Sequence, residues 1–218
     1  MKKQSRQDLT TREKIINSTL TVITNKKVSG MRLRDVARQA GVSLGTIHYH
    51  FPTKSALLVD VLGYMKQCFD EDRQREFSWD ILDPDQKLWS FMTQEQKLLL
   101  EEPDREMVFL DFWGQASINP QIQQKIRLVY NTWRKEAEEV IEEGIKRGNF
   151  TSIDKRLISY IVIALLEGFA VQFLIDPEAS DIEEFFLVSY RMILRILTDP
   201  RFWSDTKSAK VPSSEGSQ

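Results

Sequence analysis

The chain has 218 residues, 41% of them apolar and 28% charged, which allows one large or two modest globular domains with a real core. Its single cysteine, Cys68, excludes an intrachain disulfide framework and a cysteine-based zinc cluster, and fits a reducing cytoplasm. The net charge of −2 conceals an asymmetry: residues 1–57 carry eleven Lys/Arg against three Asp/Glu, and residues 58–218 nineteen against twenty-nine. A basic head on an acidic body fits an anionic partner, nucleic acid first, with a solvated charged face as the plain alternative.

The chain reads as helix almost throughout, since no stretch sustains the period-two alternation of a strand. Residues 1–10 are basic, lack the apolar segment of a secretory signal, and are expected to form a flexible arm. Thr11 to Thr24 places Ile15, Ile16, Leu20 and Ile23 on one face of a first amphipathic helix, which "NKKVSG" should break. Leu33 to Ala40 is a short second helix ended by Gly41. Ser43 can cap a third, which stops at about His50 because Pro52 disfavours helical geometry in the residue before it. Thr53 can cap a long fourth helix reaching about Arg73. Asp83 and Pro84 open a fifth, Asp85 to about Leu100. A sixth spans Arg105 to Ala116, a seventh Gln121 to Lys146, an eighth runs from its cap Asp154 to Ile175, and a ninth covers Ile182 to Leu197. Residues 204–218 hold too few apolar groups to order themselves. Ile158 to Ile175 is interrupted by polar residues and suits a buried helix better than a membrane span.

The stretch "LRDVARQAGVSLGTIHYHF" (33–51) combines a small residue (Ala37), a turn glycine (Gly41), a capping serine (Ser43) and apolar spacing (Val36, Val42, Ile47). That combination is the helix-turn-helix pattern, whose second helix enters the DNA major groove; an ordinary αα-hairpin remains the alternative. Both histidines lie here, yet residues two apart on a helix point about 200° apart and cannot share one ion, so no metal site and no cofactor is expected. No convergent nucleophile, base or metal set marks an enzyme.

The longer block "TREKIINSTLTVITNKKVSGMRLRDVARQAGVSLGTIHYHFPTKSALLVDVL" resembles the N-terminal domain of the tetracycline-repressor (TetR) family of bacterial transcription regulators, over about fifty contiguous residues. The resemblance implies an all-α, nine-helix fold: a DNA-binding head at 11–52 and a helical effector-binding and dimerisation body at 53–203, with residues 53–73 connecting them. It also implies a cytoplasmic homodimer that a ligand releases from double-stranded DNA. Carried over to this chain, Ser43, Leu44, Gly45 and Thr46 should lie at the groove and His48 should read a base edge. Tyr49 and Lys54 should touch phosphate, with Thr46, His50 and Thr53 as further backbone contacts and Arg32 and Arg34 as neighbouring cations. Two residues depart from the family's pattern. Arg32 stands where a capping Ser or Thr is common, and Leu44 stands where a polar residue is common, leaving it a thymine methyl to contact.

In the body, Trp89, Met92, Phe109, Phe112, Trp113, Tyr130, Trp133, Phe169 and Phe173 are, as a set, candidate walls of a pocket for a small apolar or amphipathic molecule, although core packing is the favoured account of any one of them alone. Glu167 and Gln172, within the apolar eighth helix, are read as structural. The last two long helices are apolar on more than one face, which suits a four-helix bundle between two chains and hence an inverted-repeat target. A helical protein–protein module, or an architectural DNA-binding protein without an effector, is the alternative.

Overall fold

A computed structural model describes residues 10–76 and 79–201, so the expected arm and tail lie outside the described residues, Thr10 excepted. Among these are nine α-helices: α1 (Thr11–Gly30), α2 (Leu33–Ala40), α3 (Leu44–His50), α4 (Lys54–Glu76), α5 (Pro84–Glu101), α6 (Pro103–Ala116), α7 (Pro120–Arg147), α8 (Lys155–Ile175) and α9 (Ile182–Thr198), with a short 3-10 turn at Trp79–Ile81. The expected all-α architecture is what forms.

The caps follow the sequence. Ser43 Oγ accepts from Thr46 N–H at 3.0 Å, Thr53 Oγ1 from Ala56 N–H at 3.0 Å, and Asp154 Oδ1 from Leu157 N–H at 3.1 Å, each worth about 1 kcal/mol. Gly41 takes φ 67°, the left-handed geometry a side chain would strain. Arg32 provides no side-chain cap to α2, as expected.

The break expected in "NKKVSG" is present: Lys27 sits at φ 60° and ψ 166°, outside helical geometry, and only a short helical turn follows it to Gly30. A non-glycine residue there costs about 1–3 kcal/mol, and surrounding bonds hold it. Val28 N–H donates to the Asp111 carboxylate of α6. Lys54 Nζ donates to the carbonyls of Val28 and Met31 at 2.9 and 2.8 Å. Lys27→Gly should therefore raise stability by about 1 kcal/mol, the relieved strain exceeding the entropic cost of glycine. An unchanged or lower thermal midpoint would contradict the strain.

Two apolar cores form. The first joins Ile15, Val36, Ile47 and Phe51 of the head to Leu57 and Val61 of α4, Phe112 of α6 and Ile122 of α7; the second joins α5, the end of α7, α8 and α9. The head is thus packed onto the body through a shared core, with no linker at residue 53. Full burial of Ile47 and Phe51 contributes about 1.5–3 kcal/mol each, which fixes how α3 is presented. Helix α8 is long and apolar enough to cross a membrane by length and composition. Its inner row, Ile158, Val162, Leu166 and Phe169, is buried in the second core, which accounts for the apolarity of that side.

Candidate nucleic-acid interface and ligand cavity

Helix α3 buries Ile47 and leaves most of its remaining surface outward. Ser43, Gly45 and His48 are exposed, Leu44, Thr46 and His50 are half-buried, and Tyr49 is 84% exposed. Arg32 and Arg34 are exposed beside it. An aromatic ring this open gains nothing from folding and is available to a partner. Thr46 Oγ1 lies 2.8 Å from Ser43 Oγ. The His50 ring meets Tyr49 edge-on at 5.2 Å, and no group of metal-ligating residues occurs among the described residues.

Lys54 is engaged differently from its reading. Burial lowers the pKa of its ammonium, and two of its three donors go to the carbonyls of Val28 and Met31. The broken end of α1 leaves those carbonyls without helical partners, and Lys54 satisfies them. Its first task is to tie the start of α4 to the α1–α2 connection.

Between the two cores, α4, α5, α6, α7 and α8 line a cavity of about 40 Å³. It is narrow as it stands, so a ligand of any size must displace its walls. Among the expected wall residues, Phe109 and Trp133 line it. The other seven do not. Phe112 is fully buried in the first core, and Met92 and Phe169 in the second, where Phe173 packs against them. Trp89 packs on Tyr190 of α9 at 4.8 Å. Trp113 is 45% exposed and donates to Tyr130 Oη at 2.7 Å. Each is large and apolar, but core positions and cavity walls carry the same residue types.

Sequence reasoning missed the carboxylates. Glu95 (α5), Glu106 (α6) and Glu167 (α8) all line the cavity. Glu95 is 8% exposed. Burial, and then repulsion from Glu106 and Glu167, pushes its pKa well above the usual carboxylate range. Burial and the Glu167 charge push Glu106 up to about 8, against the opposing pull of Arg105. Burial pushes Glu167 up to about 7, although it accepts a hydrogen bond from Tyr130 Oη at 2.8 Å. Glu167, read as structural, therefore faces the cavity, whereas Gln172 donates to the Gly168 carbonyl within α8. The signal for Glu95 lay in its spacing: it stands four residues after Phe91 and three before Leu98, on the apolar stripe of α5.

Residues 15–61 match the model of bacterial regulatory proteins of the tetR family, and residues 94–198 match the C-terminal model of BetI-type transcriptional repressors. The HTH-type transcriptional regulator YvdT of Bacillus subtilis is 23% identical over 175 residues, covering 78% of this chain and 85% of that one. A crystal structure of a putative transcriptional regulator from Saccharomonospora viridis in complex with choline has a TM-score of 0.75 at 23% identity, covering 86% of this chain and 97% of that one. That of the regulator FadR from Bacillus subtilis in complex with stearoyl-CoA has a TM-score of 0.69 at 19% identity, covering 85% and 98%; both structures share the fold. With its helix-turn-helix head, its all-helical body and family models matching both, the chain belongs to the TetR family of bacterial transcriptional regulators, which are not enzymes.

Proposed function

We propose that the protein is a ligand-responsive repressor, acting in the cytoplasm as a homodimer on an inverted-repeat operator. The observation that carries this reading is the position of the cavity on the helices that hold the head. Glu106 and Phe109 of α6 line it, and one turn further along the same helix Asp111 accepts from Val28 N–H at the kink of α1. Leu62 and Met65 of α4 line it too, and α4 carries Lys54 at its start. A molecule that spreads the cavity acts on α4 and α6 together, and both are bonded to the α1–α2 connection. The head is then tilted, and two recognition helices no longer fit successive grooves.

Dimerisation through α8 and α9 is supported by their outward apolar residues. Leu157, Tyr160 and Ile175 of α8 and Leu187, Val188 and Met192 of α9 are all at least 40% exposed, and a second copy would cover them. The solved choline and stearoyl-CoA complexes support a small-molecule effector in general. Their ligands differ too much in charge and size to select a ligand class for this chain.

On DNA, Ser43, Leu44, Gly45, Thr46 and His48 face the groove, and Tyr49, His50, Thr53 and the two exposed arginines face the backbone. His48→Ala is expected to relax discrimination between the operator and single-base variants by about 1–3 kcal/mol. Tyr49→Phe should weaken all duplexes about equally. Titrating both variants against matched and mismatched duplexes checks this, and wild-type behaviour in both would overturn the docking.

A further inference from the structure

We infer that the cavity between the two cores binds an organic cation, an amine or quaternary ammonium with an apolar arm, whose charge is held by Glu95, Glu106 and Glu167 against the rings of Phe69, Phe109 and Trp133. The inference rests on the reading of this cavity as the effector site and names what that effector is.

Its first support is the imbalance of charge at the walls. Every titratable group lining the cavity is accounted for: Lys66 on α4, Glu95 on α5, Arg105 and Glu106 on α6, and Glu167 on α8, which Tyr130 of α7 joins by hydrogen bond. The two cations are already engaged at the rim. Lys66 Nζ lies 2.5 Å from Asp70 and 3.7 Å from Glu136, and Arg105 Nη1 lies 3.1 Å from Asp72 and 3.3 Å from Glu102. Among the described residues, the three glutamates therefore face the cavity with no ion-pair partner, and Arg105 acts on Glu106 only from beyond ion-pair distance. Buried carboxylates without a counter-charge are costly, and the repulsion among these three adds to the cost.

The second support is the depth of the carboxylates: Glu95 is more than nine-tenths buried, and burial and mutual repulsion disfavour the charged forms of Glu95 and Glu106. The third support is the aromatic surface: Phe69 and Phe109 each lie 5.6 Å from the Trp133 ring, and ring faces attract cations, most strongly when water is excluded. A metal ion is the wrong cation, because the carboxylates do not converge as a ligand set among the described residues. A cation large enough to span separated carboxylates and present apolar surface to the rings fits all three observations.

Cation binding also predicts proton release. Glu106 and Glu167 are held partly protonated near neutral pH, and a bound cation favours their ionised forms. Affinity should thus rise with pH.

The experiment is isothermal calorimetry of the full chain with four probes that share an eight-carbon arm: octylamine, octyltrimethylammonium, octanol and octanoate. The two cations should bind at least tenfold more tightly than octanol or octanoate. Octylamine should release protons, read from buffers of different ionisation enthalpy, and should tighten as pH rises from about 6 to about 8. Glu95→Gln should weaken octylamine about tenfold or more while leaving octanol unchanged. Glu167→Gln, which keeps an acceptor for Tyr130, repeats the test should the first variant fold poorly. Octanol or octanoate binding as tightly as octylamine overturns the inference, as does binding of none of the four. Operator affinity measured with the same probes separates the two readings. Release by octanoate or octanol alone sinks the cation and leaves the effector role. Octylamine binding without any change in operator affinity sinks the effector role and leaves the cation site.

Discussion

The ligand-free protein is expected to lose stability as pH rises from about 5 to about 8, against the usual behaviour of a chain whose carboxylates are stabilised by ion pairs. The sign follows from the cavity glutamates. Glu167 and Glu106 titrate near 7 and 8 when folded, against an ordinary value of 4.5. Above 4.5 the unfolded chain has released protons that the folded chain still holds, so raising the pH favours unfolding until the folded carboxyls have ionised too. Below 4.5 both states are protonated and this source of stability is fully present. The two shifts together amount to a few kcal/mol at most, since the groups interact and do not titrate independently, or roughly 10 °C in melting temperature for a chain of this size. Thermal melts of the wild type and of a Glu106→Gln, Glu167→Gln double variant across this range isolate the effect. The double variant should show a flatter profile, the remaining slope coming from buried Glu95. Parallel profiles would mean that the cavity carboxyls titrate normally.

The second large effect concerns Asp111. Its carboxylate is the direct hydrogen bond between α6 and the strained kink of α1, and Arg105, Glu106 and Phe109 of α6 line the cavity. Asp111→Ala leaves the Val28 N–H without that acceptor, at a cost of about 1–3 kcal/mol. The larger consequence is in coupling. Lys54 still holds the Val28 and Met31 carbonyls from α4, but α6 no longer pulls on the connection. Operator affinity should fall about tenfold without ligand, because the head loses its hydrogen bond to α6, and most of the ligand's effect on DNA binding should disappear while ligand binding itself persists. Anisotropy titrations of operator with and without ligand, beside calorimetry of the ligand, measure both quantities. A variant with full ligand response would show that α4 alone transmits the signal.

How much of this was legible in the sequence depends on the distance over which each feature is determined. The head was readable because its signals are local. Ser43, Gly41 and Ala37 act within one turn of where they stand, and the caps at Thr53 and Asp154 do the same. The Lys27 kink was not readable in detail, since its geometry is stabilised by Asp111, 83 residues away in the chain. The cavity fared worst. Periodicity marks Phe112, Met92 and Phe169 as inward-facing, but whether an inward side chain meets another side chain or a void is decided by five helices meeting between two cores. Glu95 and Glu106 resemble ordinary charges in charged helices until their apolar neighbours at helical spacing are counted. Glu167 stood out only because α8 is otherwise so apolar. Lys54 illustrates the converse: the sequence places it in the first turn of α4, where it stands, and only the fold reveals that the Val28 and Met31 carbonyls take up its ammonium.

The central claim is that occupancy of the cavity controls DNA binding by the head. It is tested most directly by the affinity of the full chain for an inverted repeat from the promoter region upstream of its own gene, measured by fluorescence anisotropy with and without saturating octylamine. The ligand should weaken operator binding at least tenfold, and Glu95→Gln should abolish this change. Operator affinity that stays constant while calorimetry shows the cavity filled would contradict it.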